Sequence, residues 1–280
     1  MAHSISSFIA LITSTALLIP IGALGLFRWA MWLAKRIPAL FYRPIENDFD
    51  CTATIVTPVY NEDPALFRQA IESWIENRPD RIIAVIDITD TACMAIAEEY
   101  PHIDVMPIDI PGKRAALAAG VDAATTDIVV LVDSDVLWQP DVLAKIKMPF
   151  ADPEIGGVGT RQFMYPTDGQ RPTLWERIAD IYLAIRYADE VPATTRWGRA
   201  VSCLSGRTAA YRTRLLQTLR TAFLNETFMG TPCMSGDDKR YTCLILQRGY
   251  RTWNQLNAHV YSTFKPDFDG FVKQRIRWSR

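Results

Sequence analysis

The sequence offers little around which a stapled or metal-clustered fold could form. Its five cysteines, Cys51, Cys93, Cys203, Cys233 and Cys243, are odd in number, and no two stand at CxxC spacing. That argues against a disulfide framework and against a zinc site. It fits the reduced, mostly buried thiols of a cytosolic domain. Net charge is equally scarce: 30 Lys and Arg stand against 31 Asp and Glu, for a formal charge of −1. With no basic surplus for a phosphate backbone, nucleic acid is not expected as a partner. No internal repeat and no low-complexity tract interrupts the chain. Charge is also absent from one long stretch, Ile5 to Phe27.

That stretch is long enough, as a helix, to cross a bilayer core of about 30 Å. Pro20, Gly22 and Gly25 are tolerated in such a helix. Arg28, Lys35, Arg36 and Arg43 follow it, with Trp29 and Trp32 at the expected interface. The basic flank places everything after it in the cytoplasm. A cleaved signal peptide is the alternative. It fits less well, because the apolar run is too long and its amino side lacks lysine and arginine. Residues 1–44 are therefore expected as a transmembrane helix and basic linker in the cell membrane, and residues 45–280 as a cytosolic domain.

With 49% apolar residues in 280, a substantial core is available. From Cys51 onward, β-rich runs alternate with helical ones. Strands are predicted over Cys51–Thr57, Arg81–Asp87, Ile103–Ile108 and Asp127–Val132. Helices are predicted over Pro64–Asn77, Thr91–Tyr100 and Lys113–Ala124. This alternation implies an α/β fold, a parallel sheet covered by helices. Beyond Ile155 the pattern predicts a strand over Gly157–Tyr165 and a helix over Pro172–Asp189. A β-turn-β unit around Gly206 follows, then helices over Asp237–Gln247 and Asp267–Ser279.

Ligands of parallel sheets bind at the carboxyl ends of the strands, where Asn61, Asp87 and Asp133 are predicted to lie. Asp133-Ser-Asp135 presents two carboxylates on one side of a strand end, the donor set by which Mg²⁺ or Mn²⁺ is bridged to a nucleotide diphosphate. Tyr60, Glu62 and Asp63 stand at the mouth, though Asn61 to Asp63 also reads as a helix cap. Lys113 and Arg114 open a helix, where backbone N–H groups and two cations can meet phosphate, or simply cap it in solvent. Asp237 and Asp238 begin a later helix, as dipole-favouring caps or with Asp238 as a general base. In the last helix, Gln274, Arg277 and Trp278 share a face, opposite Phe268, Val272 and Ile276. That apolar stripe suits a membrane interface.

The order Asp87, Asp133-Ser-Asp135, Gly236-Asp-Asp238, Gln274-x-x-Arg-Trp278 resembles the processive family 2 glycosyltransferases, the hyaluronan, chitin and cellulose synthases. Thr57-Pro-Val-Tyr-Asn-Glu-Asp-Pro64, Gly112-Lys-Arg114, Ser202-Cys-Leu-Ser-Gly206 and Gly236-Asp-Asp-Lys239 look most like hyaluronan synthases. The resemblance spans roughly residues 52 to 280. It implies a GT-A type, Rossmann-like domain that takes a UDP-sugar donor with Mg²⁺ or Mn²⁺ and extends a polysaccharide acceptor at the lipid bilayer. By carry-over, Tyr60, Glu62 and Asp87 would hold the uridine, with Lys113 near the nucleotide. Asp133 and Asp135 would bind nucleotide and metal, Asp135 the more direct ligand, and Asp238 would be the base. Gln274, Arg275 and Arg277 would face the diphosphate, Trp278 the acceptor sugar, and Ser205 and Gly206 the acceptor pocket.

Three departures stand against it. Asp87 lies between Ile86 and Ile88, where many relatives have paired acids. Arg207-Thr-Ala replaces the usual residues after the Ser-Gly turn. The sequence stops two residues after Trp278, where relatives continue into membrane helices, so it is a fragment or its product leaves by another route. A non-processive transferase acting on a lipid acceptor and a silent membrane nucleotide-sugar sensor are the competing expectations.

Overall fold

The computed structural model describes residues 15–165, 171–233 and 236–279. After α1 (Thr15–Leu40), the chain alternates β1 (Ala53–Val59), α2 (Pro64–Glu76), β2 (Arg81–Asp87), α3 (Thr91–Glu98), β3 (Ile103–Ile108), α4 (Lys113–Ala123) and β4 (Ile128–Val132). Then come β5 (Val136–Trp138), α5 (Val142–Lys147) and β6 (Ile155–Met164). Helix α6 (Leu174–Ile185) runs on through π-helical turns at Arg186–Glu190 and Thr194–Gly198. The remainder is β7 (Thr208–Arg212), α7 (Thr213–Leu224), the short β8 (Thr227–Phe228) and β9 (Thr231–Pro232), α8 (Asp237–Gln247), β10 (Arg251–Ser262) and α9 (Phe268–Ser279).

Eight strands form one sheet in the order β3-β2-β1-β4-β7-β6-β10-β5. Its first half is parallel, as predicted: β2 pairs with β1 and β3, and β1 with β4. The central strands β1, β2 and β4 are buried along most of their length because both faces are covered, while the edge strand β3 is partly exposed. The period-2 side-chain alternation then divides them between two cores. Ile128, Val130 and Val132 join one cluster, and Val129 and Leu131 the other. Gly120 lets α4 approach the sheet, since a Cβ there would lie 2.3 Å from Cγ1 of Val56. Asp63 caps α2, accepting from the Leu66 N–H at 2.8 Å, with Pro64 in the first turn.

The second half departs from the all-parallel expectation. Strand β7 lies antiparallel between β4 and β6, and β5 antiparallel on β10. The expected β-turn-β unit supplies one strand only, β7. The segment before it is satisfied elsewhere: the Leu204 N–H donates to Thr242 Oγ1 at 3.0 Å, and the Val201 carbonyl accepts from Thr252 Oγ1 at 3.0 Å. With those groups bonded, it needs no partner strand.

Helix α1 extends to Leu40, and the irregular connector to β1 begins at Phe41. It docks on the α6 continuation, where Arg36 Nη1 meets Asp189 Oδ1 at 2.8 Å and Trp32 Nε1 donates to Asp189 Oδ2 at 3.2 Å. Among the described residues no helix is long and apolar enough to cross a membrane. Of the expected span Ile5–Phe27, residues Ile5 to Ser14 lie outside the described residues.

Candidate functional site

The carboxyl ends of β1, β2 and β4 open on one edge of the sheet. The Asp133-Ser134-Asp135 turn links β4 to β5, closed by the Val136 N–H on the Asp133 carbonyl at 3.2 Å. Ser134 Oγ donates to Glu62 Oε2 at 2.6 Å, which ties the loop after β1 to this turn. Asp133 is engaged by Lys113 Nζ at 2.7 Å, and the same ammonium meets Asp237 Oδ2 at 3.1 Å. Burial works against the Lys113 charge. Asp133 and then Asp237 outweigh it and hold the pKa above the ordinary lysine value.

Among the described residues Asp135 has no such partner; Thr263 Oγ1 donates to its Oδ2 at 3.1 Å. Burial, then the charges of Asp133 and Glu62, push its carboxyl up to about 6, against the pull of Arg207. Three carboxylates thus crowd one turn with too little positive charge. Among the described residues no three His, Cys, Asp or Glu side chains stand together as a complete metal cage. A divalent cation held here would take one or two hard carboxylate oxygens from the protein, and the remainder from phosphate and water, the usual arrangement for Mg²⁺ with nucleotides. The donor set fits that role, with Asp135 the freer ligand.

Opposite this turn, Asp238 opens α8. Its Oδ1 accepts from the Lys239 N–H at 2.7 Å and its Oδ2 from the Gly206 N–H at 3.3 Å. The carboxylate is thereby oriented against the Ser205-Gly206 turn. Lys113, Asp133, Gly206, Asp237 and Asp238 line one small cavity backed by Tyr211 and Tyr241. Burial, then the nearby Asp238 charge, push the Cys203 thiol up to about 12, which keeps it a thiol rather than a nucleophile.

The last helix reaches the same place. The Trp278 carbonyl accepts from Lys239 Nζ at 2.6 Å, and the Trp278 ring meets Phe264 edge-on with centroids 6.2 Å apart. Arg207 joins them: its guanidinium lies 4.4 Å from the Phe264 ring centre and 5.1 Å from that of Trp278, and Nη1 donates to Gln162 Oε1 at 3.2 Å. Burial lowers the Arg207 pKa while Asp135 and Asp133 support its charge, so a fixed cation faces the acid pair. Sequence reasoning noted Arg207 only as a departure and missed Phe264, Gln162, Thr263 and the pairing of Asp237.

Other predicted site residues sit less centrally. Tyr60 is 72% exposed at the rim. Asp87 accepts from the Thr89 hydroxyl and N–H, which lower its pKa, so it closes its own turn. Arg114 turns away from the mouth and pairs with Glu226 at 2.7 Å, so the two-cation expectation reduces to Lys113. Arg275 stacks on Tyr182, Phe271 and Trp278 at 4.4, 5.0 and 5.0 Å. Gln274 Oε1 is buried without a hydrogen-bond partner among the described residues, and Arg277 is exposed.

A strand-end DxD turn, an oriented carboxylate across it and a docked Gln-x-x-Arg-Trp helix agree with the family comparison. The model for "Glycosyltransferase like family 2" matches residues 52–280. The chain belongs to the family 2 glycosyltransferases. It is 28% identical over 249 residues to an N-acetylglucosaminyltransferase of Rhizobium leguminosarum bv. viciae, covering 85% of this chain and 57% of that protein. It is also 28% identical over 235 residues to a type 2 glycosyltransferase of Pyricularia oryzae, covering 81% and 48%. The chain thus spans about half the length of these relatives. Among solved structures, a mannosyltransferase of Pyrobaculum calidifontis in complex with GDP-Man and Mn²⁺ superposes with a TM-score of 0.66 at 25% identity, covering 94% of this chain and 70% of that one. GalNAc-T7 with UDP, GalNAc and Mn²⁺ superposes with a TM-score of 0.54 at 13% identity, covering 77% and 43%, a likeness of fold alone. The domain is thus a GT-A-like α/β domain with a mixed sheet.

Proposed function

We propose that this glycosyltransferase domain transfers a sugar, with inversion, from a UDP-sugar onto a growing β-linked polysaccharide at the cytoplasmic face of the cell membrane. The observation that carries the reading is one cavity lined both by Asp133, the first acid of the Asp133-Ser134-Asp135 turn, and by Asp238, which the Gly206 and Lys239 N–H groups hold. Asp135 and Asp133 would hold Mg²⁺ or Mn²⁺, as the metal in the P. calidifontis neighbour suggests. When bound, the metal neutralises charge on the diphosphate leaving group. Lys113, tethered between Asp133 and Asp237, stands ready to contact a phosphate. Asp238 accepts the proton of the acceptor hydroxyl as that oxygen attacks the anomeric carbon. Trp278, on the far side of Arg207, offers its ring to the acceptor sugar.

The membrane placement is supported by the exposed Leu24, Leu26, Phe27 and Trp29 of α1 and by Phe268 and Ile276 of α9. The processive reading over transfer to a lipid rests on the Gln-x-x-Arg-Trp helix and its engagement with Arg207. Hyaluronan synthase-like chemistry rests on the motifs alone. The name of the rhizobial relative makes UDP-N-acetylglucosamine the first donor to try. The deciding experiment measures UDP release and polymer yield with single UDP-sugars, with and without chelator, in wild type and Asp135→Asn. Turnover that depends on metal and vanishes in Asp135→Asn is expected. Undiminished transfer in excess chelator refutes it.

A further inference from the structure

A second concave site lies on the opposite edge of the sheet. Its cavity of about 330 Å³ opens where β6 and β10 begin, lined by Ile155 and Arg251. The carboxylate turn lies beside the far end of β10, where Thr263 contacts Asp135. The ten residues of β6, at about 3.3 Å each, place the two sites about 30 Å apart. Neither the family motifs nor the proposed reaction uses this pocket.

Its walls are unusual in composition. Arg43, Arg196, Arg199 and Arg251 converge on it, and Phe41, Ile45 and Trp253 supply an apolar floor. Their partners do not balance them. Arg251 meets Glu154 at 2.6 Å, and Arg199 reaches Asp152 only at 3.7 Å. Arg43 spends its hydrogen bonds on the Leu40 and Tyr42 carbonyls, which carry no charge. Arg196 makes no ion pair among the described residues. Four guanidiniums therefore face two carboxylates, leaving two positive charges in excess. The backbone also holds them in place. Arg199 adopts the left-handed region at φ 45° as it ends the π-helical turn, and its carbonyl accepts from the Thr252 N–H at 3.0 Å. Tyr42 stacks on Trp253 behind the floor, with centroids 5.8 Å apart. Guanidinium forks match phosphate oxygens in geometry and charge, and the volume falls in the range of small-molecule sites.

We propose that this pocket binds a phosphate-bearing ligand, its anionic group among Arg43, Arg196 and Arg199 and its body against Phe41 and Trp253. The site is separate from the donor site and shares none of its lining residues. Hydrogen-exchange mass spectrometry of the full 280-residue chain locates binding by segment. With pyrophosphate or uridine monophosphate as probe, protection is expected over residues 41–46 and 195–201 as well as near the carboxylate turn. The double variant Arg43→Ala, Arg196→Ala alters exposed side chains and should fold. It should weaken the pocket response at least about tenfold, the scale of losing two charge-assisted bonds, while residues 131–137 respond as in wild type. Arg43→Lys with Arg196→Lys should recover part of it. A parallel arm measures hydrogen exchange of the protein in phosphatidylcholine vesicles with and without phosphatidylglycerol. Protection of residues 41–46 and 195–201 that needs the anionic lipid and is lost in the double variant, without protection by soluble probes, assigns the phosphate to a lipid headgroup. Pocket protection by the soluble probes assigns it to a free ligand. If neither arm distinguishes the double variant from wild type, the proposal fails.

Discussion

Replacing Arg207 with methionine tests whether the last helix is truly docked through the site. The guanidinium lies face-on to Phe264 and Trp278 at 4.4 and 5.1 Å and donates to Gln162 Oε1 at 3.2 Å. Two partly desolvated cation–π contacts contribute about 0.5–1 kcal/mol each. A hydrogen bond from a charged donor contributes about 1.5–3 kcal/mol. Methionine recovers the apolar packing and avoids the cost of burying a guanidinium, so the net loss expected is about 2 kcal/mol. Gln162 makes the loss harder to absorb, because its Nε2 is already buried without a partner and its Oε1 would join it. For a chain of this size the melting temperature should fall by about 4 °C, at about 2 °C per kcal/mol. The loss should be local. Hydrogen exchange should accelerate over α9, which Arg207 holds through Trp278, and stay unchanged over α2 and α3. Arg207→Lys keeps the charge without the flat stacking surface, so it should rescue only partly. The cation also stands beside Asp133 and Asp135, so Mn²⁺ should restore more stability in Arg207→Met than it adds to wild type. A melting temperature within about 1 °C of wild type, with unaltered exchange over α9, would show that Arg207 does not join the last helix to the site.

Asp238→Asn keeps the size and one of the two N–H contacts but cannot accept a proton, so turnover should drop at least about 10²-fold with UDP binding, by calorimetry, little changed; collapse of binding as well would make Asp238 a nucleotide ligand. Trp278→Ala should lose polymer yield while donor binding persists, because a missing ring misplaces the acceptor; normal yield would leave the indole as a helix anchor against Phe264 and Arg207. Gly120→Ala is the fold control: its Cβ would meet Cγ1 of Val56 at 2.3 Å, so denaturant unfolding should show a loss of about 1–3 kcal/mol, and unchanged stability would mean that α4 does not pack so closely on β1.

The parallel half of the sheet was legible because its information is local. The strands are mostly apolar runs, and two of the helices begin at a side-chain cap written beside them, Asp63 for α2 and Asp90 for α3. The antiparallel half hides its information in distant partners. β10 carries Asn254, Gln255, Asn257 and His259, a composition that argues against a buried strand. The connector after α1 satisfies part of that polarity, and Gln139 Oε1 lies 3.2 Å from His259 Nδ1. Tyr42 Oη donates to the Asn254 carbonyl at 2.7 Å, and Gln255 Nε2 donates to the Ile45 carbonyl at 2.6 Å while its Oε1 accepts from the Ile45 N–H at 3.2 Å. Without those bonds the strand would bury further unpaired polar atoms, and no local pattern announces them. The site divides along the same line. Asp133 and Asp135 follow directly on the apolar strand β4, so an acid pair at the sheet edge was readable locally, although the two sit in a turn rather than on the strand and meet different partners, Lys113 and Thr263. Arg207 acquires its role only from Gln162 on β6, Phe264 after β10 and Trp278 on α9. Three separate chain segments must fold before a residue that breaks the motif becomes the one that joins the acid turn to the final helix. A departure from a motif therefore gains meaning when its replacement brings its own set of partners, and Arg207 has one from each of those segments.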